Sequence, residues 1–239
     1  VASAEELLES LGVSIDPGTL RLALTHRSYS YENDGIPTNE RLEFLGDSVL
    51  GLAVTDYLYR TYPDLPEGDL AKLRAALVST RALARIARRL GVGRHVRLGE
   101  GEQRTGGSDK DSILADTMEA LIGASYLSTD VETARQLVLR LVTPLLSDKE
   151  AMTAGKDWKT TIQELAAAQG LGEVRYMVEG EGPDHSRTFT AVLTIGSVPY
   201  GTGSGSSKKD AEREAARLTA DQISSADDAD ILTLVLGRG

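Results

Sequence analysis

The sequence predicts a two-domain chain, an all-α domain followed by a small α+β domain of order α-β-β-β-α. Three observations carry that prediction. Up to residue 148 the apolar residues recur at helical spacing and nowhere alternate with period two for long. Residues 149–156 (Lys-Glu-Ala-Met-Thr-Ala-Gly-Lys) are polar and show no core pattern, as a linker would. Beyond them, three runs rich in β-branched and aromatic residues lie between two helical patterns. The expected organisation is an all-α domain over 1–148, a linker over 149–156 and an α+β domain over 157–225. The tail, 226–239, has no readable pattern.

Each element has its own signal. Leu7, Leu8 and Leu11 give a first helix over 4–11, with Ser3 as N-cap and Glu6 three residues later. A second starts at Pro17, where proline suits a first turn, and runs through Leu20, Leu22 and Leu24. The polar stretch 30–38 reads as a loop into a long helix capped by Thr38 or Asn39 and ended by Tyr62-Pro63-Asp64-Leu65-Pro66. One helical pattern spans 68–90, and its Arg81, Arg85, Arg88 and Arg89 read as a solvated face, with RNA contact as the alternative. Residues 91–107 carry six glycines with Arg94, Arg97 and Arg104, a loop facing substrate or solvent. Helices follow over 112–123 and 131–146. In the second domain the expected elements are a helix over 157–169, strands over 173–179, 187–195 and 197–201, and an alanine-rich helix over 207–223.

Two of these helices carry chemistry. In the long one Leu42, Phe44, Leu45, Val49, Leu50, Leu52 and Val54 point nearly all round, which predicts burial. Yet Glu40, Glu43 and Asp47 fall on one face. Ionised carboxylates are costly to bury unless paired or bound to metal, and three on one face repel each other. The helix at 112–123 repeats the pattern with Asp116 and Glu119, and its Gly123 would let a second helix come close. Two such helices crossing would pool four or five carboxylates into an all-oxygen cage suited to Mg²⁺ or Mn²⁺.

The residues around these positions resemble a known family. Glu40 to Leu50 is similar to the signature of ribonuclease III, and Ser112 to Gly123 to that family's second acidic motif. Ala23 to Tyr29, Glu67 to Leu70 and Leu73-Arg74 match its companion segments. The resemblance implies an endoribonuclease cutting double-stranded RNA in rRNA and mRNA processing. It implies in-line attack by a metal-activated water, with Mg²⁺ (or Mn²⁺ as substitute) as cofactor and 5′-phosphate and 3′-hydroxyl ends as products. Glu43, Asp47, Asp116 and Glu119 match its metal-ligand and catalytic positions, Asp47 and Glu119 above all. Glu40 matches a more peripheral member of the metal set, and Glu67 another peripheral acid. Phe44 matches an aromatic knob for a partner's socket, implying a homodimer with one cut per strand, although plain core burial would also explain it.

The second half resembles a double-stranded-RNA-binding domain. The likeness rests on Lys159-Thr160 with Gln163-Glu164, on Gly182-Pro183-Asp184-His185, and on the run from Gly203 to Glu212. It implies that Gln163 and Glu164 meet one minor groove and His185 the next, while Lys208 and Lys209 at a helix start face the phosphates between. Ser206 stands where many relatives carry a basic residue.

Composition narrows the rest. With 239 residues, 41% hydrophobic and 26% charged, the chain is an ordinary globular one. It has no apolar run near the roughly 18 residues of a membrane helix. Its start is acidic, unlike a secretory signal. It has no Cys, and His26, His95 and His185 are too scattered for a zinc site, so a cytoplasmic location is expected by elimination. The net charge of −10 weighs against nucleic-acid binding until the acidic groups are loaded with cations. Two other readings stand beside the nuclease: a catalytically inactive double-stranded-RNA-binding protein, and a metal phosphohydrolase for small nucleotides, against which the C-terminal half speaks.

Overall fold

The computed structural model describes residues 4–148, 157–183 and 187–226, and the chain divides into two units, Val1–Met152 and Thr153–Gly239. The first unit holds α1 (Ala4–Leu11), α2 (Pro17–Ala23), α3 (Arg27–Tyr31), α4 (Glu40–Thr61), α5 (Glu67–Leu77), α6 (Thr80–Arg89), α7 (Glu100–Arg104), α8 (Asp111–Ser128) and α9 (Val131–Val142). Helix α8 is the axis: Leu114, Met118, Leu121 and Ile122 are fully buried, and α2, α4, α6 and α9 pack around it. An apolar surface on every side of a helix needs such a ring of neighbours.

Three expectations are refined. The pattern over 68–90 is two helices, because Ser79 leaves the helical conformation and its Oγ accepts the Ala82 N–H at 3.2 Å, capping α6. The last helix of this unit stops at Val142 and continues as a 3₁₀ turn, Thr143–Ser147, around Pro144. Within the expected loop lie α7 and two 3₁₀ turns, Val92–Arg94 and Gly107–Asp109, entered through Gly91 and Gly106 at positive φ. The expected capping by Ser3 and the linker at 149–156 lie outside the described residues.

The second unit contains α10 (Trp158–Ala168), strands β1 (Val174–Glu181), β2 (Thr188–Ile195) and β3 (Val198–Gly205), and α11 (Lys208–Ala226). The strands form one antiparallel sheet in the order β1-β2-β3. Ala191, Leu193 and Ile195 alternate inward and join Ile162, Leu165, Ala211 and Ala215 in a core between sheet and helices. Strand β3 runs to Gly205, four residues beyond the sequence expectation. The glycines that look like a loop are there to be packed on: a methyl at Gly203 or Gly205 would strike the α11 backbone near Ala211.

Candidate active site

Helices α4 and α8 meet backbone to backbone. A Cβ on Gly46 would fall on the Glu119 carbonyl, and one on Gly123 would fall on the Leu42 carbonyl. Side chains near this crossing have nowhere to go but its rim. Glu43 lies one turn before Gly46, while Glu119 and Asp116 lie one and two turns before Gly123. Their carboxylate oxygens come within 4.8 Å of one another.

The three are half-buried, and their acidities record it. Glu119 is pushed up to about 7, first by burial and then by the charges of Asp47, Asp116 and Glu43. Burial also raises Glu43, aided by Asp116 and Glu40, and burial raises Asp116 against the pull of His26 and Arg27. Asp47 and Glu40 are solvent-exposed. They stand outside the triad yet near enough to disturb its members, and Thr38 Oγ1 donates to Glu40 at 2.8 Å. Glu67 opens α5, exposed to solvent. Clustered acids that burial and mutual repulsion resist ionising are well matched to a cation. All-oxygen donors suit a hard divalent ion.

Neighbouring residues whose partners the sequence does not reveal hold this arrangement. Arg88, read as solvated face, donates to Asp109 Oδ1 and to the Asp109 carbonyl, both at 2.6 Å, and pairs with Asp111 at 2.7 Å. It thereby fixes the start of α8. Arg85 pairs with Asp148 at 2.7 Å, another internal use. Arg97, expected to face substrate or solvent, lies 4.2 Å over the Tyr29 ring and donates to Thr25 Oγ1 at 3.1 Å. Thr25 in turn accepts the Asn39 amide at 2.9 Å, just before α4 begins. No local spacing announces such links, which reach from about twenty residues for Arg88 and Asp109 to about seventy for Arg97 and Thr25.

Phe44 is 78% exposed, and Leu52 and Tyr59 are 67% and 72% exposed on the same helix. The expected burial of α4 therefore holds on one side only. In the second unit Gln163 and Glu164 are exposed on α10, and Lys208 and Lys209 are exposed at the start of α11. Ser207 caps that helix, accepting the Asp210 N–H at 3.1 Å. Lys159 and Thr160 are occupied within the domain, the first with Glu212 at 2.7 Å and the second with Asp157. His185 lies outside the described residues.

Comparison with known proteins identifies the family of both halves. A family model described as Ribonuclease-III-like matches residues 16–146, and one for the double-stranded RNA binding motif matches 158–222. The chain is 61% identical over 215 residues to Ribonuclease 3 of Thermobifida fusca, covering 90% of each. It is 58% identical over 228 residues to that of Streptomyces coelicolor, covering 95% of this chain and 83% of the relative. A solved ribonuclease III nuclease domain from Campylobacter jejuni, 43% identical, superposes with a TM-score of 0.57 over 59% of this chain and 97% of its own. That nuclease domain is described as flexible in a region involved in dimer formation. With both halves matched in order and relatives this similar along nearly their whole length, the chain belongs to the ribonuclease III family of endoribonucleases.

Proposed function

We propose that the protein hydrolyses phosphodiester bonds of double-stranded RNA, leaving 5′-phosphate and 3′-hydroxyl ends, in rRNA and mRNA processing. The observation that carries this reading is the triad Glu43, Asp116 and Glu119, with oxygens within 4.8 Å of one another at the α4–α8 crossing. These three, with Asp47 and Glu40 beside them, would hold the divalent cation, Mg²⁺ by preference and Mn²⁺ as substitute. Bound there, the ion supplies the charge that acidifies water and offsets the negative charge gathering on phosphate oxygens. The chain's own contribution is order and proton balance. Glu119, pushed up to about 7, is the carboxyl whose proton a bound cation would displace, so that the carboxylates would act together as anions. The backbone contact at Gly46 and Gly123 fixes their spacing before substrate arrives.

Two such centres are needed to cut both strands of a duplex. The exposed apolar stripe of Phe44, Leu52 and Tyr59 supports a homodimer about a two-fold axis, with Phe44 as a central anchor. The second domain supplies retention of the duplex, through Gln163, Glu164, His185, Lys208 and Lys209. A cytoplasmic location follows from such a substrate; among the described residues no helix is long and apolar enough to cross a membrane.

A short RNA hairpin incubated with Mg²⁺, and then with excess chelator, tests the reading. The protein should cleave in the first case and not in the second. Glu119→Ala should lose at least about a hundredfold in rate, as expected when a centre loses a metal ligand, while still shifting the duplex in a gel. Wild-type protein that binds the hairpin without cutting it would favour an inactive RNA-binding protein instead.

A further inference from the structure

Two hollows lie beside the acidic residues, one against Glu40 and the other against Asp116. One, of about 520 Å³, has Arg27, Tyr31, Thr38 and Glu40 in its wall. The other, of about 390 Å³, has Arg27, Tyr31, Lys110, Ser112 and Asp116. Arg27 and Tyr31 are common to both, one turn apart on α3, so they form the ridge between them. Glu40 of α4 and Asp116 of α8 stand on either side of that ridge.

The cations nearby differ in what they already hold. Lys110 pairs with Glu102 at 2.5 Å and donates to Thr105 at 3.0 Å. Arg88 is tied to Asp109 and Asp111, and Arg97 to Thr25 and Tyr29. Arg27 is exposed, and makes no hydrogen bond or ion pair with any described residue. Its charge still reaches the triad, opposing the rise of both Glu43 and Asp116. Tyr31 is 91% exposed, an aromatic ring on a helix that has placed it in solvent.

We propose that Arg27 and Tyr31 clamp the strand to be cut, Arg27 taking a backbone phosphate next to the scissile one and Tyr31 lying against the adjoining ribose. This rests on the reading that the triad cleaves RNA. A strand laid along the two hollows passes over the ridge between the acidic residues of α4 and α8. There a polyanion meets repulsion from five carboxylates, and a guanidinium with no internal partner offers paired donors matched to phosphate oxygens. Duplex RNA shows its backbone and 2′-hydroxyls rather than base faces, so the tyrosine meets sugar. Both are positioning residues and recognise no sequence.

The test uses the full chain, the same hairpin, and Arg27→Gln, Arg27→Lys and Tyr31→Ala, with cleavage measured over a salt series. Arg27→Gln should lower kcat/KM by roughly tenfold or more. It should also flatten the plot of log(kcat/KM) against log[salt] by about one unit, since one phosphate contact is lost. Arg27→Lys should keep the wild-type slope but recover only part of the rate, because a point charge replaces a fork. Tyr31→Ala should raise KM with the slope unchanged. Mn²⁺ binding, followed by its paramagnetic resonance, should not weaken in any of the three. If Arg27→Gln lowers the rate with an unchanged slope, or weakens Mn²⁺ binding, the arginine serves the carboxylates and the clamp is wrong. A wild-type protein that fails to cut the hairpin would instead overturn the nuclease reading on which the clamp stands.

Discussion

At Glu119 the protein accepts a local loss of stability that a cation can reverse. Its folded-state pKa, about 7, lies above the ordinary glutamate value of 4.5, chiefly because of burial. Between those values the folded chain binds more protons than the unfolded one, so this group's contribution falls as pH rises through the window. The side chain is only half-buried, which holds the effect to about 1 kcal/mol, or roughly 2–4 °C for a domain of this size. Glu119→Gln, a mimic of the protonated form, should therefore melt higher than wild type at pH 8 in chelator and level with it at pH 4. Mg²⁺ should raise the wild-type midpoint more at pH 8 than at pH 5 and leave the variant nearly unmoved. Parallel melting curves for the two proteins across this range would show that burial at Glu119 is too slight to matter.

At the scale of the element, the α4–α8 crossing decides whether there is a centre at all. Gly46→Ala should be the most damaging small substitution there, because the added methyl meets the Glu119 carbonyl rather than a side chain that can swing aside. Overpacking against backbone costs about 3 kcal/mol, or roughly 6–12 °C in thermal midpoint. Calorimetry of the purified variant would check this, and a midpoint within about 2 °C of wild type would mean that the helices part easily. Sequence made this crossing legible: the carboxylate spacing on two apolar helices, with Gly123, points to it directly. The same logic missed the break at Ser79, where capping by one hydroxyl outweighs a continuous apolar pattern. It also read β3 too short, since nothing local says that glycines at 201, 203 and 205 are there to admit α11. Arg88 is solvent-exposed as expected, but its hold on Asp109 and Asp111, like that of Arg97 on Thr25, went unread for a related reason. These partners lie about twenty and about seventy residues away, and only the folded structure brings them together.

At the scale of the whole molecule, net charge sets the conditions for meeting RNA. The chain carries −10, and even residues 156–225 hold 8 Lys and Arg against 10 Asp and Glu. Duplex binding should thus depend on a few placed cations. Lys208→Ala with Lys209→Ala should weaken it by a similar factor for unrelated duplex sequences and flatten its salt dependence. Ser206→Lys should do the opposite, steepening the slope by up to about one unit. The gain is reduced by whatever part of the new charge pairs with Asp210, to which Ser206 now donates at 3.3 Å. Binding measured over several salt concentrations with Ca²⁺ in place of Mg²⁺ checks both; an unaltered slope in the double variant would remove α11 from the RNA interface. The triad, for its part, is split along the chain, with about seventy residues between Glu43 and Asp116. During synthesis the ribosome delivers α4 well before α8, and early domains fold as they emerge. A half-made chain thus holds Glu43 without Asp116 or Glu119 and cannot assemble the centre. Until α8 has been made and docked, the newborn chain carries only one half of its acidic cluster.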